Sequence, residues 1–247
     1  MREKKFFGAN WKMYKNRREA IEYFEKIEKK IKNIEDKKEV VFFIPFHLLL
    51  PVKDNFKNIK IGAQNFYYKD EGPFTGEISA KMLKDESIEY AIIGHSERRK
   101  IFNEDNKLLK EKIIAGLKHG IKIVFCIGED SNEKEKGEEY KVIDSQISIL
   151  DNIKEINENN FIIAYEPVWA IGTGKVAKSE DAEKIHSYIR GLINQKGLSK
   201  NIRIIYGGSV NSENIKEIMN MPNIDGVLVG SASLKVDSFE KIVFFEK

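Results

Sequence analysis

The segment AYEPVWAIGTGK, residues 164–175, puts a carboxylate, a proline, a tryptophan and two glycines directly after an apolar run. Glu166 stands at the end of that run, where strands of an alternating strand-helix barrel deliver catalytic groups. Pro167 limits the conformations beside the carboxylate, while Gly172 and Gly174 permit a loop whose backbone N–H groups approach an anion. The chemistry implied is a carboxylate under a phosphate lid. A lone Glu-Pro pair would read as an ordinary loop; twelve residues of this composition do not.

Two other segments carry reactive side chains at the ends of apolar runs: Asn10-Trp11-Lys12-Met13 and Gly94-His95-Ser96-Glu97-Arg98-Arg99. A lysine near a strand end can hold an anionic substrate, and a histidine opening a helix has its proton affinity lowered by the helix dipole. Taken singly, Lys12 is a solvated surface cation and His95 a satisfied structural imidazole. Later come Tyr206-Gly207-Gly208-Ser209 and Val229-Gly230-Ser231-Ala232-Ser233. Following the seventh and eighth strands, where barrels bind phosphate, they predict main-chain N–H donors, with a short helix beginning near Ser231. Gly172, Gly174 and Ala177 match G-x-G-x-x-A, but six residues separate Tyr165 from Gly172, so the dinucleotide reading fails. Gly174-Lys175 is followed by Val176, which removes a Walker A reading.

Positioning these residues requires strands, and eight apolar runs recur at 5–9, 40–44, 60–63, 90–93, 121–127, 161–165, 203–206 and 226–229. Between most of them lie segments with helical spacing: Ile21, Phe24, Ile27 and Ile31; Tyr140, Ile143, Ile147 and Leu150; Ala182, Ile185, Ile189 and Leu192. Asn16 and Glu19 form a capping-box pattern, Gly120 and Gly197 sit where helices should stop, and Ser179 is the expected cap of the helix after the lid. Eight units of about 31 residues favour a closed (β/α)8 barrel of parallel strands over a doubly wound open sheet. No linker interrupts the series, so the expectation is one domain, 1–247.

The 42 basic and 39 acidic side chains nearly cancel, and the net charge of +3 supplies no basic face for nucleic acid. The mixed charges of 129–141 read as a solvated face leading into a helix. One cysteine, Cys126, excludes an internal disulfide, and the four histidines are too dispersed to suggest a metal site. No stretch approaches the length of a membrane helix, and the expected location is a reducing cytoplasm.

In register, NWKM, GAQN, GHSERR, CIGE, AYEPVWAIGTGK, YGGSV and LVGSASLK resemble the triosephosphate isomerase family over nearly the whole chain. The resemblance implies interconversion of glyceraldehyde 3-phosphate and dihydroxyacetone phosphate through an enediolate, without metal or cofactor. It assigns Glu166 as base, neutral His95 as electrophile and Lys12 as the cation near oxyanion and phosphate. Asn10 would position the substrate, Glu97 orient Lys12, and Gly172, Ser209, Gly230 and Ser231 donate N–H groups to phosphate beneath a 167–177 lid. Glu129 would accept a hydrogen bond from Trp169, and Cys126 would be a buried packing residue near the site. The 64–77 loop, bounded by Gln64 and Glu77, resembles the family's interdigitating dimer loop and is long for such a connection. It implies a homodimer in which Thr75 supports the partner's Asn10 and Lys12. Departures from the family pattern are Ser231 for a common glycine, Tyr14 for a small polar residue and Pro73 for alanine. Another sugar-phosphate barrel enzyme, an aldolase or isomerase, and a non-catalytic phosphate-binding module are the competing readings.

Overall fold

The computed structural model describes residues 4–32, 34, 37–170 and 178–246. Its strands are β1 (Lys5–Asn10), β2 (Lys38–Ile44), β3 (Ile61–Ala63), β4 (Tyr90–Ile93), β5 (Lys122–Ile127), β6 (Phe161–Tyr165), β7 (Arg203–Tyr206) and β8 (Gly226–Val229). They pair in sequence order and in parallel, and β8 returns to β1 with Phe7 opposite Val227, closing the barrel. That closure removes the open doubly wound sheet. Strands buried on both faces read as continuous apolar runs, which is why eight runs mark eight strands.

Alternation along each strand builds two cores. Phe6, Val41, Phe43, Tyr90, Ile92, Val124, Cys126, Ile162, Ala164, Ile205 and Leu228 fill the interior. Their neighbours Phe7, Phe42, Ile123, Phe125, Ile163 and Val227 face the surrounding helices. A Cβ at Gly62 would lie 2.7 Å from the Phe43 ring, so the missing side chain makes room for a large one in the same layer. Each buried phenylalanine contributes about 1.5–3 kcal/mol.

Helix Arg17–Ile31 starts on a reciprocal cap. Asn16 Oδ1 accepts the Glu19 N–H at 3.0 Å and Glu19 Oε2 accepts the Asn16 N–H at 2.8 Å. The helix buries Tyr23 and Phe24 against Trp11, whose ring centroid lies 4.9 and 5.0 Å from theirs. Trp11 thereby anchors the chain between Asn10 and Lys12. Gly120 and Gly197 both follow helix ends at φ +70°, a conformation that disfavours side chains. Two expectations shift. Ser179 is the first residue of helix Ser179–Gln195, with Lys178 as its cap. In helix Glu139–Ile147, Tyr140 is 41% exposed, and Gln146 lies buried beside Ile143 and Ile147. Tyr140 packs edge-on against Tyr188 at 4.8 Å, outside the barrel core.

At the strand N-termini a polar floor closes the barrel. Glu39 receives Lys60 Nζ and the Tyr90 hydroxyl on Oε1, and Arg203 Nη1 on Oε2, each at 2.7 Å. Burial alone would raise the Glu39 pKa. The hydrogen bonds from Lys60, Tyr90 and Arg203 and the Arg203 charge override it, lowering the pKa to about 2.

Candidate active site

The strand C-termini converge on Glu166, the first residue past β6 and 2% exposed. Its N–H donates to the Ile127 carbonyl at 2.7 Å, continuing the β5–β6 pairing by one step. Its Oε2 accepts the Ser96 N–H at 2.9 Å, and Oε1 stands 3.1 Å from His95 Nε2. Two glycines make this placement possible. A Cβ on Gly128 would lie 1.7 Å from the Glu166 carbonyl oxygen, and one on Gly207 would lie 2.9 Å from its Cγ.

His95 caps helix Ser96–Ile101, and its Nδ1 accepts the Glu97 N–H at 3.3 Å. A ring nitrogen that accepts carries no proton, so this pattern places the ring hydrogen on Nε2, the nitrogen that faces Glu166. Glu97 Oε2 stands 3.6 Å from the same Nδ1, beyond hydrogen-bond range. The other carboxylate oxygen, Oε1, takes Lys12 Nζ at 2.7 Å.

Lys12 holds φ +51°, a left-handed conformation that costs a residue with a Cβ about 1–3 kcal/mol. Hydrogen bonds hold it there. Its N–H donates to Asn10 Oδ1 at 3.1 Å, and its carbonyl accepts Gln64 Nε2 at 2.8 Å. The sequence marks Gln64 only as the start of a loop. Its amide in fact reaches its own chain's site, and also donates to the Phe43 carbonyl at 3.1 Å. Ser96 is a second participant not singled out from sequence, because a backbone donor leaves no mark in residue type.

Past the end of the neighbouring strand β8, Gly230 precedes the 3-10 turn Ser231–Leu234, which Ser233 ties by donating its hydroxyl to the Gly230 carbonyl at 2.7 Å. A Cβ at Gly230 would lie 3.6 Å from Lys12 Cε, so this turn adjoins the lysine. Ser231 is exposed, and Ser209 donates its hydroxyl to the Ala170 carbonyl at 3.1 Å. Gly172, with the rest of 171–177, lies outside the described residues.

Around this core, Cys126 points into the barrel with no exposure; burial, with the Glu166 charge adding to it, pushes its thiol pKa well up. Glu129 is fully buried, and its Oε1 accepts Trp169 Nε1–H at 2.8 Å and the Tyr165 hydroxyl at 3.0 Å. Burial raises its pKa against the pull of these donors. Thr75 is exposed on its loop, and among the described residues no hydrogen bond joins it to Asn10 or Lys12. The loop is braced by Tyr67 N–H to the Ile78 carbonyl at 2.8 Å and by Phe74 against Tyr67 at 4.7 Å. Among the described residues no group of three or more His, Cys, Asp or Glu side chains could hold a metal ion, and no helix is long and apolar enough to cross a membrane.

A buried carboxylate facing a neutral N–H donor, with a cation nearby, can remove a proton next to a carbonyl and stabilise the oxyanion that forms. Known proteins are similar to this chain over nearly its whole length. The family model described as triosephosphate isomerase matches residues 5–245. The triosephosphate isomerase of Finegoldia magna is 45% identical, covering 99% of both chains. That of Lawsonia intracellularis is 46% identical over 96% of each, and that of Aquifex aeolicus 45% identical over 98% of this chain and 99% of its own.

Proposed function

The chain belongs to the triosephosphate isomerase family, and on that premise we propose how its residues divide the isomerisation among them. It interconverts glyceraldehyde 3-phosphate and dihydroxyacetone phosphate, so the aldolase and binding-module readings give way. Glu166 takes a proton from the carbon next to the carbonyl and returns it to the former carbonyl carbon. His95 Nε2–H hydrogen-bonds the substrate oxygens and stabilises the enediolate between those two transfers, while the hydroxyl proton passes from the oxygen that becomes the carbonyl to the former carbonyl oxygen. Lys12, oriented by Glu97 and supported by Asn10, supplies positive charge beside oxyanion and phosphate. The phosphate rests on main-chain donors of Ser209, Gly230 and Ser231; family resemblance adds Gly172 and a 167–177 lid that excludes water and suppresses phosphate elimination. Cys126 packs beneath the base, and Glu129 holds Trp169 at the root of the lid.

The observation that carries this division is the His95 hydrogen-bond pattern: Nδ1 accepts from Glu97, leaving Nε2–H aimed at Glu166 3.1 Å away. A coupled assay on glyceraldehyde 3-phosphate without added cofactor should show turnover. Glu166→Gln should cut kcat by about 10²- to 10⁴-fold while a phosphate inhibitor still binds, because the amide keeps the shape but cannot take the proton. Equal loss of turnover and binding would instead indicate misfolding or a wrong base.

The working form is a homodimer of barrel domains, each spanning 1–247, in the reducing cytoplasm. Support for the dimer comes from the exposed Thr75 loop and from Met13, Met82 and Phe102, exposed by 93%, 48% and 60%. Buried Cys126 suits a reducing compartment. Changing Thr75 and shortening its loop should give a monomer with poor turnover although every reacting residue remains. Sedimentation of the unaltered chain as a fully active monomer would contradict the dimer.

A further inference from the structure

The backbone of Gly128 touches the backbone of Glu166, since a Cβ there would lie 1.7 Å from the Glu166 oxygen and 2.7 Å from its carbonyl carbon. Gly128 follows β5, past the point where its pairing with β4 ends at Ile93 opposite Phe125. Its two polar groups are taken by one side chain from the helix layer. Gly128 N–H donates to Gln146 Oε1 at 2.8 Å, and Gln146 Nε2 donates back to the Gly128 carbonyl at 3.1 Å. The amide stands in for a neighbouring strand. Close packing does not do this work alone, because a cavity of about 220 Å³ opens beside the segment, lined in part by Gly128, Gln146, Glu166 and Val168. The clamped segment also reaches the residues after Glu166: the Glu129 carbonyl accepts the Val168 N–H at 3.1 Å, and its carboxylate holds Trp169.

We infer that Gln146, on helix Glu139–Ile147, is a positioning residue for the isomerisation: its amide clamps Gly128 and thereby sets where Glu166 presents its carboxylate. Gln146 touches neither substrate nor reacting atoms, and acts only through the backbone contact. Small displacements of a reacting group are expensive, about 100-fold for 1 Å. The inference rests on Glu166 being the base.

Two variants test it. Gln146→Met fills the volume without polar atoms and should lower kcat about ten- to a hundredfold with KM nearly unchanged, since the phosphate donors lie on other strands. Gln146→Glu carries its own control. A protonated carboxyl donates to the Gly128 carbonyl and accepts its N–H, as the amide does, whereas the ionised form sets two acceptors against each other. Burial favours the neutral form, so the kcat of Q146E relative to the unaltered enzyme should recover as pH falls. A merely structural role would not produce that pH-dependent ratio. Unchanged kcat in both variants, a kcat loss that tracks the unfolded fraction measured by circular dichroism, or a pH-independent Q146E ratio would overturn the inference. Retained turnover in Glu166→Gln would sink the base assignment instead, so the two failures are distinguishable.

Discussion

Each end of the barrel holds a glutamate in a confined polar cluster, and the two are arranged for opposite purposes. At the floor, Glu39 is met by Lys60, Arg203 and the Tyr90 hydroxyl, and its pKa falls to about 2. At the mouth, Glu166 is met by the Ser96 backbone N–H and by Nε2 of the His95 imidazole, with no lysine or arginine bonded to it among the described residues. Cations fix a carboxylate by removing its capacity to take a proton; neutral donors orient it and leave that capacity in place. A structural carboxylate is therefore best surrounded by charge, and a base by dipoles. The floor cluster has the composition of an active site, and its saturation with cations is what marks it as scaffold.

The largest effect that sharpens this contrast is expected at the mouth. His95→Gln removes the neutral donor and should lower kcat about 10²- to 10³-fold with little change in thermal midpoint. Turnover equal to that of the unaltered enzyme would remove His95 from the chemistry. At the floor, Glu39→Gln should do the reverse. It leaves Arg203 half-paired in a buried site and costs about 3 kcal/mol, lowering the thermal midpoint by about 6–12 °C, while kcat of the folded protein is unaffected. The difference between the two proteins should also depend on pH. A carboxylate with a depressed folded-state pKa stabilises above its unfolded value and loses that stabilisation as pH falls through the folded one. The gap should therefore be full above about pH 4.5 and close as pH approaches 2, the window between the ordinary and the depressed Glu39 values. A gap that stayed constant in denaturant titrations across that window would break the floor assignment.

The mouth is more legible in the sequence than the floor, for a physical reason. The side chains proposed for binding and chemistry stand just past apolar runs, so the end of a run points to Asn10, His95 and Glu166. The floor lies inside the strands: β2 begins at Lys38, two residues before its apolar run, because Glu39 finds Arg203 of β7, and Lys38 the Val243 carbonyl of helix Val236–Val243, only once the chain has folded. Hydrophobic periodicity truncates a strand at the first charge, and tertiary pairing extends it. Gln146 was hidden in the same way. The periodic stripe places Tyr140 inward, whereas the helix turns a polar amide toward the barrel to satisfy Gly128. A polar residue interrupting an apolar stripe was the available signal. Ser96 left none, since its contribution is a main-chain N–H.

The smallest expected effect concerns Ser231, where the mouth departs from the glycine common in the family. If the mouth holds its substrate phosphate by backbone dipoles, as it holds Glu166 by the Ser96 N–H, side-chain identity at 231 should matter little. Ser231 is exposed at the first position of the turn Ser231–Leu234, and that turn is tied by Ser233, not by Ser231. Ser231→Gly keeps the N–H and should be nearly neutral in turnover and inhibitor affinity. Ser231→Pro deletes the donor, and losing a hydrogen bond to a charged group costs about 1.5–3 kcal/mol, roughly ten- to a hundredfold in phosphate affinity. Both variants should first be shown to unfold cooperatively at the midpoint of the unaltered protein. Inhibitor titration then separates the alternatives: equal weakening in both variants would assign the contact to the hydroxyl, and the mouth would depend on side chains in the way the floor does.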